Sequence, residues 1–208
     1  MFSLLALVTN KKYWIVHSLL MKLILRLYGI TVGRGFYMEG VPRLTIRGRA
    51  GNIVLGDNVR ILGDIDLRNR ENGRIVFRDN VTIERDCRFV SAREGVIEIG
   101  EGSVVTAFAI INGGADVRVG RKCIIGPRAS INANEHKFSR DVPVREQGFI
   151  HADVIIEDDC WLAANVVVMK GVHLGKGSVI GAGAVVTSDT EPYSINGGIP
   201  ARKLKERP

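Results

Sequence analysis

One stretch of the chain, residues 131 to 148 (INANEHKFSRDVPVREQG), holds the groups best suited to moving a proton. His136 follows Asn132, Asn134 and Glu135 there. Imidazole titrates near neutrality, so a histidine in a polar loop can take a proton from an attacking hydroxyl or amine. Of the other histidines, His17 lies in an amphipathic N-terminal segment and His173 at an outward position near a corner. His151, just before Val154, Ile155 and Ile156, is the rival base. The remaining chemistry is sparse. Cys87, Cys123 and Cys160 all fall at small inward positions and act as core filler, since a catalytic thiol needs exposure and an activating neighbour. No pair of histidines has metal-ligand spacing, so no metal is expected. A Gly-x-Ser-x-Gly elbow and a phosphate-binding loop are both missing from the sequence.

These residues are embedded in a repeat. Leu55, Ile61 and Leu67 are six apart, as are Phe77, Ile83 and Phe89, then Ile99, Val105 and Ile111, then Val119, Ile125 and Ile131. The count resumes at Ile156 and runs through Leu162, Val168, Leu174, Ile180 and Val186. Four residues after most of these stands a small or β-branched residue, such as Val59, Cys87, Ser103, Ala109, Ala115, Ala129, Ser178 or Ala184. One large and one small inward position per hexad describe a short strand and a turn, and three such units close a triangular coil. Asn58, Asn80, Gly102, Asn165, Gly171, Gly177 and Gly183 stand where the corner demands positive φ. The expected fold is an all-β parallel β-helix of hexapeptide repeats, with residues 1–30 an N-terminal amphipathic helical segment and residues 31–204 the coil domain. The step from Ile131 to Ile156 is 25 residues, seven more than a full coil of 18, and predicts a protruding loop over residues 132–155.

The hexad pattern, over roughly residues 50 to 204, resembles the hexapeptide-repeat acyltransferases, in particular the sugar and polysaccharide O-acetyltransferases. The resemblance implies a left-handed coil, against the usual crossover rule. It also implies acetyl-CoA as co-substrate, a homotrimer with sites between subunits, and His136 as general base. Because the donor thioester is already activated, direct attack needs no covalent enzyme intermediate. Pro143, Gln147 and Gly148 match the family's Pro…Gln-Gly segment, whereas Glu135 stands where the family often has Asp. Asn112, Asn132, Asn134, Arg145 and Gln147 are the expected acceptor residues.

On the donor side, Trp161 resembles the aromatic of the family's Trp-Ile-Gly stretch, and Gly197 to Lys203 resembles its closing Gly-x-Pro-Ala-Arg/Lys segment. Small outward residues let an extended ligand lie on the coil. The expected donor residues are Trp161, Ala163, Ala164, Ala182, Thr187, Arg202 and Lys203. Leu162, Ala163 and Ala164 replace the common Ile-Gly-Ala, and the extra methyl of Ala163 is expected to narrow the pantetheine groove.

Composition sets the bounds. The 208 residues carry a formal charge of +7, with 24 glycines and few aromatics, which suits a repetitive coil. Lys and Arg are scattered along the chain and no nucleic-acid-binding motif appears, so charge permits an anionic cofactor or lipid without selecting one. Three unpaired cysteines and the absence of a basic leader in residues 1–9 suggest a cytoplasmic protein, peripheral to the inner face of the membrane if it touches one. Lys11, Ser18, Lys22 and Arg26 recur at helical spacing beside a very wide apolar face bounded by Trp14 and Tyr28. Lys22 and Arg26 disfavour a transmembrane span. Two roles remain: a helix lying on a membrane surface, or one capping the first coil. The expected activity is acetyl-CoA-dependent O-acetylation of a saccharide in surface polysaccharide or lipopolysaccharide synthesis. The alternatives are N-acetylation of an amino-sugar nucleotide and a non-catalytic scaffold.

Overall fold

Alternating burial along each short strand builds the molecule. In the computed structural model, which describes residues 12–208, one helix (α1, Lys12–Leu27) precedes a solenoid of about seven turns. The strands form three sheets, of seven, nine and seven members, in which the coil strands pair in parallel with their copies on neighbouring coils and the last strand of the nine joins antiparallel. The first sheet contains Val117–Val119, Val154–Ile156 and His173–Leu174; the second Ile124–Ile125, Trp161–Leu162 and Val179–Ile180; the third Ile110–Gly113, Ser130–Asn132 and Val167–Val168. The coil is a left-handed β-helix.

All eighteen large hexad residues, from Leu55 to Val186, are buried. Burial of each such side chain contributes on the order of 1.5–3 kcal/mol, before the entropy of ordering is set against it. Phe77 and Phe89 meet edge-on inside the coil at 4.8 Å between ring centroids. Of the small inward residues, Ala115 is only half-buried, next to the corner where the long loop returns. The corner positions expected to need positive φ all have it, among them Asn58 at 57° and Asn165 at 59°. Bulky residues also take this conformation. Phe108 has φ 65°, and its ring lies against the guanidinium of Arg85, 5.0 Å from centroid to carbon.

Two features go beyond the repeat as read from sequence. Within the expected coil domain the hexads begin before Leu55, because Val32, Met38 and Leu44 are a further triplet lining a first turn; Val32 and Met38 are buried and Leu44 packs against the core. The step from Ile131 to Ile156 contains no coil. These residues stand on the third and first sheets, which are successive faces, so all the excess over a six-residue step lies in the loop. At the far end, Ser194–Gly198 and Ala201–Glu206 fold into an antiparallel hairpin on the second sheet. Arg207 ties the tail back through Asp159 Oδ2 at 2.8 Å.

Helix α1 caps the first coil with its polar side chains. His17 Nε2 bonds to Gly40 O at 2.7 Å, Lys22 Nζ donates to Gly33 O, and Arg26 Nη2 donates to Val32 O. Ser18 is buried and accepts from the Met38 amide at 2.8 Å. These bonds meet backbone groups that the first coil, with no coil beneath it among the described residues, leaves unpaired. Lys11 lies outside the described residues.

Candidate active site

The chain leaves the third sheet at Ala133, whose amide donates to Asn112 O at 2.8 Å, and rises into an antiparallel ribbon. Asn134–His136 pairs with Phe149–His151 in the register Asn134↔His151, Glu135↔Ile150, His136↔Phe149. Ala152 N then donates to Ala133 O, which closes the root. Side chains alternate across a ribbon, so Asn134, His136, Phe149 and His151 share one face while Glu135 and Ile150 take the other.

His136 is exposed at the outer end, its ring 4.1 Å from that of Phe149, centroid to centroid. His151 sits at the root, 6.1 Å from Phe149 on the same measure. Its Nδ1 is buried without a hydrogen-bond partner among the described residues. The ring presses against Gly114, where an added Cβ would lie 2.5 Å from Nδ1. Burial, helped by the positive charge of Arg93, holds the His151 imidazole below the usual histidine range. Glu135 bonds to Lys170 Nζ at 3.0 Å, away from His136.

The expected acceptor residues separate into three groups. Asn112 and Asn132 are neighbours on the outer face of the third sheet, where Asn112 Nδ2 donates to Asn132 Oδ1 at 2.9 Å. Asn134 stands above them on the ribbon. Arg145 is exposed in the single-turn helix Val144–Glu146 at the loop tip. Gln147 is engaged within the loop: its Oε1 accepts from Ser139 N at 2.7 Å, and its Nε2 donates to Ser139 O and Val142 O. Phe149 in this ribbon, and Gly114 and Lys170 packed against it from the coil, were not legible as site residues. The one available signal was the Gly113-Gly114 pair at a break in the hexads.

The donor residues lie elsewhere on the coil. Trp161 is exposed on the second sheet. Ala163, Ala164 and Ala182 turn the corner between the second and third sheets, where Ala163 N donates to Ile180 O and Gly183 N to Ala164 O. The amides of Ala164 and Ala182 donate to no group among the described residues, and both alanines face outward. Thr187 follows the last strand of the third sheet. Arg202 and Lys203, with Ser188 and Asn196, line a hollow of about 140 Å³ just beyond it. Lys203 is held by Glu191 at 2.5 Å and by Glu206, whereas the Arg202 guanidinium, among the described residues, hydrogen-bonds only to the Ala201 carbonyl. Within one chain, then, His136 rises at the corner between the third and first sheets, while Trp161 stands on the second.

The cysteines are confirmed as interior. All three are buried and free, and burial pushes the Cys87 thiol up to about 12. A thiol so protonated is a poor nucleophile at neutral pH.

Comparison with known proteins agrees with this architecture. Residues 153–188 match the family described as bacterial transferase hexapeptide (six repeats). A probable acetyltransferase of Mycobacterium tuberculosis is 30% identical over 158 residues, 76% of this chain and 51% of that protein. A galactoside O-acetyltransferase of Lactococcus lactis is 37% identical over 94 residues, 44% of this chain and 45% of that one. The chain thus spans about half the length, or less, of these curated relatives. Among solved structures, a variant of AntD, an N-acyltransferase from Bacillus cereus in complex with dTDP-4-amino-4,6-dideoxyglucose and coenzyme A, superposes with a TM-score of 0.65. It is 21% identical, with 90% of this chain and 89% of that one covered. Hexads, stacked coils and relatives converge, and the chain belongs to the hexapeptide-repeat transferase family, built on the left-handed β-helix.

Proposed function

We propose that the protein transfers an acetyl group from acetyl-CoA to a saccharide hydroxyl, with His136 as general base. The carrying observation is the ribbon, which lifts one exposed imidazole out of an otherwise closed coil and backs it with the Phe149 ring. The acceptor oxygen attacks the thioester carbonyl carbon while His136 takes the hydroxyl proton. The tetrahedral intermediate then collapses, the C–S bond breaks, and the imidazolium returns the proton to the CoA sulfur. Backbone N–H groups directed at the developing oxyanion stabilise it. The free amides of Ala164 and Ala182 suit the amide carbonyls of an extended pantetheine chain, and Arg202 suits its phosphates.

His136 and this donor surface lie on different sides of one chain, so the complete site needs a second copy. A three-fold ring, in which the ribbon of one subunit faces the coils of its neighbour, supplies it. The exposed apolar residues Ile124, Phe149, Ile155 and Trp161 suit burial in such contacts. A galactoside O-acetyltransferase among the relatives supports a hydroxyl acceptor, in keeping with a role in surface polysaccharide or lipopolysaccharide synthesis at the cytoplasmic side, where acetyl-CoA is made.

The test is thiol release from acetyl-CoA with a panel of sugars and amino sugars, for wild type and His136→Ala. Hydroxyl-dependent release that collapses by roughly 10²–10⁴-fold in the variant fits a lost general base. Release only with amino sugars replaces the O-acetyl reading by N-acylation. Release untouched by the substitution moves the base to His151.

A further inference from the structure

We infer that helix α1 docks the protein on an anionic phospholipid surface. The helix is amphipathic in an inverted sense. Its polar side chains, His17, Ser18, Lys22 and Arg26, point at the first coil and bond to its backbone. Leu25 is buried on that side and Met21 packs against the core, whereas the apolar side chains of the other side point away. Ile15, Val16, Leu19, Leu20, Leu23 and Leu27 are all more than half exposed, Leu27 at 78%. At ~100° per residue these positions share one side of the helix, interrupted only by Lys12 and Arg26 near its two ends. An ordinary surface helix buries such a stripe in its own core, and the capping role leaves this one open.

Charge selects the occupant. The scatter of Lys and Arg along the sequence conceals a sharp division. Residues 1–52 hold eight of them against one acidic residue, Glu39, and residues 53–208 hold 21 against 21. The whole net charge of +7 therefore resides in the N-terminal segment, the helix and the first coil. Arg43, Arg47 and Arg49, exposed on and beside the strand Pro42–Gly48 of that coil, stand at the same end of the solenoid as α1. An apolar helix face with a basic collar matches the boundary between acyl chains and anionic headgroups. Among the described residues no helix is long and apolar enough to cross a bilayer, so α1 would lie in the surface, with the coil axis pointing away. This inference is independent of the acceptor and of the identity of the base.

Co-flotation of the full chain with large unilamellar vesicles tests it. Phosphatidylglycerol-rich vesicles are compared with pure phosphatidylcholine, at low and high salt. The variants are Leu19→Ser/Leu23→Ser/Leu27→Ser, which alters only outward side chains, and Arg43→Glu/Arg47→Glu. Circular dichroism checks that both fold. Binding to the anionic vesicles is expected to fall at least tenfold in the serine variant, and severalfold in the glutamate variant and at high salt. Wild-type protein that stays unbound on every vesicle overturns the inference. So does a serine variant that folds and binds as well as wild type. Assembly without vesicles that the serine variant abolishes, with no vesicle binding by either protein, overturns it in favour of a second copy on this face.

Discussion

Glu135 Oε2 lies 3.0 Å from Lys170 Nζ, an ion pair that fastens the ribbon to the following coil on the face opposite His136. The carboxylate adjacent in sequence to the proposed base is thus engaged elsewhere and does not orient the imidazole. Both side chains are partly exposed, so the pair contributes no more than about 1 kcal/mol. Glu135→Gln and Lys170→Met are expected to lower the thermal midpoint equally and slightly, and to leave the pH dependence of kcat/KM in place. A displaced acid limb in Glu135→Gln alone would show that Glu135 acts on His136.

His151 gives the ribbon root a pH dependence. Its folded-state pKa is depressed by burial and by Arg93, so the unfolded chain binds the proton more readily. Its contribution is therefore present above the ordinary histidine value of ~6.5 and is lost as pH falls through the folded value. Thermal midpoints measured over that window should fall more steeply for wild type than for His151→Phe. Parallel curves for the two proteins would refute the linkage.

Gln147 braces the loop through Ser139 and Val142. Gln147→Ala leaves backbone donors and acceptors to water in an exposed segment, so global stability should change by less than about 1 kcal/mol. Amide exchange in residues 137–148 should quicken, and kcat/KM for the acceptor should fall. Lost activity with unaltered exchange would instead mark Gln147 as a direct acceptor contact.

Arg202 and Lys203 differ although they are adjacent. Lys203 is matched by Glu191 and Glu206, whose hydrogen bonds and charge hold it above the usual lysine range. Arg202 has most of its guanidinium N–H groups free among the described residues, as the proposed contact to the CoA phosphates requires. Arg202→Ala is expected to raise KM for acetyl-CoA about tenfold and Lys203→Ala less than about threefold, as follows from free and already-paired cations. Steady-state kinetics with varied acetyl-CoA decides between this order and its reverse.

Much of the fold is legible in the chain because its contacts repeat at a fixed interval. A strand of two or three residues with one large inward side chain can pair only with its own copy one coil on. The six-residue period therefore states topology, core and corners together, down to the positive φ of Asn58 and Asn165. His136 stands out for the complementary reason, as a histidine in the one long break of that period. The hexads of the first coil, Val32, Met38 and Leu44, lie outside the repeat as read from sequence, although their step to Leu55 resembles the steps between the later triplets.

What breaks the period had to await the tertiary structure. Residues 132–155 carry no repeat, so their pairing into a ribbon depends on a return at Ala152 to the Ala133 carbonyl that no sequence pattern announces. That return sets His136 beside Phe149, aims Glu135 at Lys170 and presses His151 on Gly114. Helix α1 teaches the same lesson. Its sequence shows an apolar face and a polar stripe, but only docking decides which side meets the protein. Here the open backbone of the first coil takes the polar stripe, with Leu25 buried beside it, because its unpaired carbonyls need donors.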